Sequence, residues 1–73
     1  MNRVVVKSEI TGNMWKIEAA IGDSVEEEQQ VAIIESMKME IPVIAPVAGT
    51  VVEILVKEGD PIAEEQPVLV IET

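Results

Sequence analysis

Lys38 is the residue of this 73-residue chain whose type and position could do chemistry. Its primary amine lies between Met37 and Met39, close to the middle of the sequence. Lysine amines are mostly protonated at neutral pH, so acylation requires an activated acyl donor and an enzyme that removes the proton. Both would have to come from outside the chain. The alternative interpretation of Lys38 is an exposed lysine that merely keeps a turn soluble.

The rest of the composition removes most catalytic chemistry. The chain has no Cys, no His and no Tyr, which excludes disulfides, thiol nucleophiles, histidine bases and Cys/His zinc sites. We therefore expect no metal and no catalytic residues. The formal charge of −9 would repel nucleic acid. No stretch approaches the roughly 20 apolar residues of a membrane span, and the start of the chain lacks a signal-peptide pattern, so we expect a cytoplasmic protein.

The apolar residues are mostly Val and Ile, which favour strands because two heavy atoms on Cβ suit the pleated surface. The sequence therefore predicts an all-β fold. Chains of this length bury only about 60% of the surface that they expose when unfolded, so we expect one domain over residues 1–73.

The sequence contains an internal repeat. A shift of 37 positions, without gaps, aligns residues 1–36 with residues 38–73 and gives identities at 11 of the 36 positions. The identical pairs are Val6/Val43, Gly12/Gly49, Ile17/Ile54, Gly22/Gly59, Asp23/Asp60, Glu27/Glu64, Glu28/Glu65, Gln29/Gln66, Val31/Val68, Ile34/Ile71 and Glu35/Glu72. Because Gly-Asp steps recur in register, the duplicated feature is backbone geometry, and we interpret both steps as turns.

Alternation of apolar and polar residues predicts about four strands in each half. The predicted strands are Arg3–Glu9, Asn13–Ala19, a short piece near Val25, Val31–Ser36, Glu40–Ala45, Thr50–Val56, a short piece near Ile62, and Val68–Ile71. Pro67 disfavours a helix in the second half, and the repeat extends that prediction to Val25–Ile34. Trp15 aligns with Val52, so we assign it to the core or its margin.

A few short strands cannot bury an apolar face alone, so the two halves must face each other. We expect a flattened sandwich or barrel around an approximate two-fold axis, which also hides strand edges. This symmetry places the link around Lys38 and the chain ends at opposite ends of the molecule. If the strand pleat persists through the link, Met37 and Met39 project opposite to Lys38 and fill gaps over the end of the sandwich.

The link Glu35-Ser36-Met37-Lys38-Met39-Glu40 resembles the lysine hairpin of the biotinyl/lipoyl attachment domains, and its Met-Lys-Met tip resembles the biotinyl branch. The resemblance covers essentially the whole chain and includes Ala45-Pro46-Val47-Ala48-Gly49-Thr50-Val51. It implies the barrel-sandwich hybrid fold, with two quasi-two-fold related halves of four strands each. The family's tip usually has alanine where this chain has Ser36. The chain is either a stand-alone carrier or a fragment of a larger one.

The resemblance implies that a biotin protein ligase attaches biotin covalently to Lys38, and that Met37 and Met39 help partner enzymes to recognise the turn. The chain would then be a non-catalytic biotin carboxyl carrier, monomeric in isolation. It would shuttle a carboxyl group from a biotin carboxylase to a carboxyltransferase, with acetyl-CoA as the preferred acceptor, as in fatty acid biosynthesis. Pyruvate, propionyl-CoA, urea or a role in a decarboxylase stay open as alternatives. Glu40 aligns with Arg3 and is not duplicated, which makes it a candidate for a partner contact. Glu35 is a duplicated strand-end carboxylate.

Three alternatives stay open. Lipoyl carriers of 2-oxo acid dehydrogenases or of glycine-cleaving systems share the hairpin lysine, although their tip is typically Asp-Lys-Ala, so lipoate is the alternative group on Lys38. An unmodified structural adaptor with the same fold would not depend on Lys38. An enzyme is a third and weaker reading, because no acidic pair lies in an identifiable cleft.

Overall fold

The computed structural model describes residues 2–73, and within these residues the chain is all-β with no helix able to cross a membrane. The strands are β1 (Arg3–Lys7), β2 (Gly12–Ile17), β3 (Ser24–Val25), β4 (Gln30–Ser36), β5 (Met39–Ile44), β6 (Gly49–Ile54), β7 (Pro61–Ile62) and β8 (Pro67–Glu72). All the predicted strands are present, and the bounds of the longer ones differ from the predicted bounds by no more than two residues. Segment 26–29 forms a turn, which confirms the prediction against a helix.

The strands form two four-stranded antiparallel sheets with the orders β1-β8-β6-β3 and β5-β4-β2-β7. The shift of 37 residues converts one order into the other, strand by strand. Each sheet takes two strands from each half of the sequence, so the halves are interleaved and neither half forms a sheet alone. The quasi-two-fold flattened sandwich is confirmed, and it measures 36 × 17 × 17 Å.

The core lies between the sheets and is itself duplicated. Its members come in buried pairs 37 residues apart: Val6/Val43, Met14/Val51, Ala19/Val56, Val25/Ile62, Val31/Val68, Ala32/Leu69 and Ile34/Ile71. Ala45 completes the cluster, and its counterpart is the buried Ser8. The Ser8 hydroxyl donates to the Ile10 carbonyl at 2.6 Å, so the one polar residue of the buried set is satisfied. Apolar burial between the sheets therefore stabilises both halves together.

The repeated turns have the same backbone in both halves. Gly22 and Gly59 have φ of 96° and 93°, a region that suits glycine. The carboxylates of Asp23 and Asp60 each accept a hydrogen bond at 2.9 Å from an amide three residues earlier. The turns also join the halves, since the Gly22 amide donates to the Val51 carbonyl at 2.7 Å. The prediction that both Gly-Asp steps are turns is confirmed.

Trp15 does not lie in the core. Its side chain is 44% exposed, because β2 shifts register against β4 between Met14 and Lys16. A bulge of this kind breaks strict alternation and leaves one residue unpaired. Met14 takes the buried position, and the Lys16 ammonium lies 5.5 Å from the centre of the Trp15 ring. Of the expected placement in the core or its margin, the core is wrong for this reason.

Candidate functional site

Lys38 lies in a two-residue turn that joins β4 to β5. The strands pair Glu35 with Glu40 and Ser36 with Met39, so only Met37 and Lys38 remain outside the ladder. Both turn residues have positive φ, 51° for Met37 and 63° for Lys38, as in type I′ hairpin turns. The hairpin tip expected from the sequence is therefore present, and Lys38 is one of its two outermost residues.

The turn changes one expectation about the methionines. The prediction that Met37 and Met39 project opposite to Lys38 assumed a continuous pleat, but left-handed dihedrals at Met37 and Lys38 interrupt the strand. Type I′ turns favour Asn-Gly, and a residue with a Cβ loses roughly 1–2 kcal/mol in the left-handed region. The tip is thus held in a conformation that its own residues disfavour.

The side chains of the tip face solvent. Lys38 is exposed, Met37 is 89% exposed and Met39 is 57% exposed. The prediction that these methionines fill gaps over the sandwich was therefore wrong. Both ion pairs found among residues 2–73 are made by Arg3, so the Lys38 amine is engaged in neither. An exposed amine at a hairpin tip is accessible to an enzyme that supplies the base and the activated acyl donor.

Besides the pairing of β4 with β2, two contacts near the tip hold the hairpin against the rest of the sandwich. The backbone of Gly12 lies so close to β4 that an added Cβ would be 2.5 Å from the Glu35 carbonyl oxygen and 2.8 Å from a methyl group of Ile34. The half-buried Ser36 donates its hydroxyl to the Thr11 carbonyl at 2.9 Å. The sequence shows the small Ser36 beside the tip but does not predict this hydrogen bond, because Thr11 is 25 residues away.

The charges at the base of the turn are not balanced within the hairpin. Glu35 and Glu40 are exposed and directly opposite each other on neighbouring strands. Like charges in this arrangement weaken the pairing of the two strands. Glu35 and Glu72 occupy equivalent positions of the repeat, but Glu72 faces Arg3 and accepts a hydrogen bond from it at 3.3 Å.

The turn lies far from the chain ends. Strand β5 leads away from Lys38 for six residues, about 20 Å, and the chain then crosses to the other sheet and begins β6 at Gly49. Thr50 pairs there with Glu72, and the Thr73 amide donates to the Asn2 carbonyl at 2.8 Å. This path agrees with the expected placement of the turn and the termini at opposite ends of the molecule.

A rigid all-β sandwich that presents a lysine at a hairpin tip, with no histidine or cysteine in its sequence, has the character of a carrier domain. The chain belongs to the biotin/lipoyl attachment family, since the family described as "Biotin-requiring enzyme" matches residues 4–73. The description of the family supports covalent biotin as the cofactor.

Sequence relatives include two proteins named for the attachment of biotin or a lipoyl group. The chain is 47% identical over 51 residues to the "Biotin/lipoyl attachment protein" of Bacillus subtilis and covers 70% of that protein. It is 39% identical over 51 residues to the "Biotinylated protein TB7.3 homolog" of Mycobacterium leprae, of which it covers 72%. It is 42% identical over 50 residues to the urea amidolyase of Saccharomyces cerevisiae, but spans only 3% of that chain. These alignments cover about 70% of the present chain.

Solved structures agree on the fold. The crystal structure of the Kluyveromyces lactis urea carboxylase matches 99% of the chain with a TM-score of 0.92 and 43% identity, using 6% of that enzyme. A single-chain, multi-domain long-chain acyl-CoA carboxylase matches 97% of the chain with a TM-score of 0.89 and 26% identity, using 7% of that enzyme. In both cases the present chain corresponds to one small part of a large carboxylase.

Proposed function

We propose that Lys38 carries biotin in amide linkage and that residues 1–73 act as a single biotin carboxyl carrier domain. The observation that supports this most directly is the position of Lys38. Its side chain is exposed in a two-residue turn between two exposed methionines, at the end of a rigid sandwich. An acyl group can be attached there without displacing any part of the core. The amine therefore fits the attachment of biotin.

Attachment by a biotin protein ligase follows from ordinary acyl transfer. A base of the ligase removes the extra proton of the Lys38 ammonium, and the Nζ lone pair attacks the carbonyl carbon of biotinyl-adenylate. The new C–N bond forms as the C–O bond to the adenylate phosphate breaks, and AMP leaves. The product amide is neutral, so the lysine stem becomes part of a flexible arm.

The neighbours of Lys38 would contribute recognition. Met37 and Met39 present adaptable apolar surface at the tip, which suits contact with several enzymes in turn. Glu40 adds an exposed carboxylate at the start of β5 that its own sheet leaves unneutralised, and we propose it as a partner contact. The domain itself performs no reaction in this proposal.

When bound, biotin supplies a ureido nitrogen that can hold a carboxyl group. The role of the chain is to keep the attachment point away from its own surface and to present it to a biotin carboxylase and then to a carboxyltransferase. Tethering makes the second encounter local, with an effective concentration up to about millimolar for short flexible links. A rigid fold helps because the partner enzymes meet one conformation of the turn.

For the acceptor we propose an acyl-CoA, with acetyl-CoA as the first candidate. The similarity to a long-chain acyl-CoA carboxylase supports this class of acceptor. Urea is the second candidate, because the Kluyveromyces lactis urea carboxylase is 43% identical over almost the whole chain.

The attachment site is tested by labelling. The wild-type chain, Lys38→Ala and Lys38→Arg are incubated with biotin, ATP and a biotin protein ligase, and intact mass is measured. Lys57→Ala is the matched control, since Lys57 is also an exposed lysine beside a turn. We expect full labelling of the wild type and of Lys57→Ala and none of the two Lys38 variants. Labelling of Lys38→Ala to the wild-type level would refute the site.

Mass spectrometry of the protein from its native host separates the alternatives. A biotin increment on the peptide that contains Lys38 supports the proposal, whereas a lipoyl increment would make the chain a lipoyl carrier. An unmodified lysine, together with normal growth of a Lys38→Arg strain, would favour a structural adaptor.

The acceptor is tested with the labelled chain and the host's carboxylase components. Radiolabelled bicarbonate and ATP load the carrier, and acetyl-CoA or urea is then added. Transfer of label to acetyl-CoA supports the first candidate, and transfer to urea alone would replace it with the second.

A further inference from the structure

Two hydroxyl-bearing residues occupy equivalent positions of the repeat, at opposite ends of the molecule. Ser36 ends β4 beside the Lys38 turn, and Thr73 follows β8 beside the first described residues. The Ser36 hydroxyl donates to the Thr11 carbonyl at 2.9 Å. The Thr73 hydroxyl lies 3.4 Å from the Asn2 carbonyl, which already accepts the Thr73 amide at 2.8 Å. Of these two hydroxyls, only that of Ser36 makes a short hydrogen bond to a separate element, whereas Thr73 only approaches a carbonyl that its own amide already bonds.

The acceptor of the Ser36 bond is itself fixed. Thr11 belongs to the connection between β1 and β2, and its hydroxyl accepts a hydrogen bond from the Glu64 amide at 3.3 Å. The next residue, Gly12, packs its backbone against the Glu35 carbonyl. Ser36, the last residue before the Lys38 turn, is thus bonded to a loop that two further contacts hold in place.

The Lys38 turn needs such support, because its local sequence opposes it. Met37 and Lys38 adopt left-handed dihedrals without being glycine or asparagine. Immediately below them, Glu35 and Glu40 place like charges opposite each other. Both effects favour fraying of the hairpin at its tip. The Ser36 hydroxyl is the side-chain group nearest in sequence to the turn that resists this fraying by a bond to another element.

We propose that Ser36 is a positioning residue, whose hydrogen bond to Thr11 holds the strained Lys38 turn in the conformation that modifying enzymes bind. This inference rests on the proposed function of Lys38. Without the bond the turn is in that conformation for a smaller fraction of the time. The apparent affinity of an enzyme for the turn falls in proportion to that fraction, while the rate of the bound complex is unchanged.

The test compares Ser36→Ala with Thr73→Ala, which removes the equivalent hydroxyl at the far end. Hydrogen exchange of the Met39 amide, which faces Ser36 across the turn, is measured on the unmodified protein. Loss of one hydrogen bond predicts about 3- to 10-fold faster exchange at Met39 in Ser36→Ala and no change in Thr73→Ala. With a biotin ligase, the KM for the Ser36→Ala protein rises, by less than this factor because KM follows the closed fraction of the turn, and kcat stays at the wild-type value. Ser36→Thr restores both.

The outcomes are separable from those of the proposed function. Wild-type exchange and wild-type KM in Ser36→Ala would overturn the positioning role, and so would a fall in kcat with unchanged KM. If the wild-type chain is not labelled at Lys38, the proposed function fails and the exchange rates alone decide. Faster exchange at the Met39 amide in Ser36→Ala than in the wild type then still supports a stabilising role of the hydrogen bond from Ser36 to Thr11. Equal exchange in the two proteins refutes it.

Discussion

The two ends of the sandwich have nearly the same backbone but opposite electrostatics. At the end with the termini, Arg3 bonds to Glu72 and Glu53 at 3.3 Å each and so connects β1, β8 and β6. At the Lys38 end, the positions equivalent to Arg3, Glu72 and Glu53 hold Glu40, Glu35 and Lys16.

Because these residues differ, the Lys38 end has two carboxylates opposite each other. Lys16 lies over Trp15 and pairs with neither carboxylate. The duplicated fold therefore tolerates a locally unfavourable surface at one end. That end is the one that presents Lys38.

The largest expected effect comes from substituting a tightly packed glycine at each end. Comparison of the two variants tests whether the backbones of the two ends are equivalent. An added Cβ would meet a carbonyl oxygen at 2.5 Å in both Gly12→Ala and Gly49→Ala. Because backbone atoms cannot move aside cheaply, each substitution should lower the free energy of unfolding by about 1–3 kcal/mol. Guanidinium denaturation measures this. Similar losses of unfolding free energy in the two variants support equivalent backbones. Wild-type stability in either variant would contradict them.

The next effect concerns the left-handed backbone of Met37 and Lys38 in the hairpin turn. Met37→Asn should raise the free energy of unfolding by about 0.5–1 kcal/mol, because asparagine adopts the left-handed region of a hairpin turn more readily than methionine. Met39→Asn is the control, since Met39 is a strand residue without positive φ. Equal changes in the two variants would show that the turn is not strained. If Met37 also contacts the ligase as proposed, labelling slows while stability rises.

A smaller effect comes from copying the charge pattern of one end onto the other. Glu40→Arg places a cation opposite Glu35, as Arg3 stands opposite Glu72. We expect a gain of about 0.5 kcal/mol in the free energy of unfolding at low salt, since exposed pairs contribute little. Thermal melts at low and high salt measure it. A gain that persists when Glu35→Gln is also introduced would contradict the electrostatic explanation.

The smallest expected effect is the loss of the ion pairs at the end with the termini. Arg3→Gln should cost less than about 0.5 kcal/mol, because the Arg3 side chain is 59% exposed and solvent screens both pairs. The cost should disappear near 1 M salt, where the Debye length is about 3 Å. A large and salt-independent cost would show that Arg3 contributes by packing instead.

Much of the fold was predictable because the internal repeat contains the same turn residues and core residues in both halves. The two Gly-Asp steps located turns, and strand positions followed from alternation between them. The other glycine pair, Gly12 and Gly49, begins strands β2 and β6 instead. The position of Lys38 at a hairpin tip followed from the same argument, and its modification stays a prediction. Trp15 was misplaced because a bulge depends on how β2 meets β4, and alternation within one strand carries no information about its partner.

The amino-acid sequence by itself determined the all-β class, the two-fold repeat, the alternating core and the midpoint lysine, since each depends on residue types and on spacing along the chain. The tertiary structure decided the interleaving of the halves, the left-handed dihedrals of Met37 and Lys38, and the bond from Ser36 to Thr11. These features depend on which distant segments come into contact, and that follows from closing one shared core rather than from any local preference.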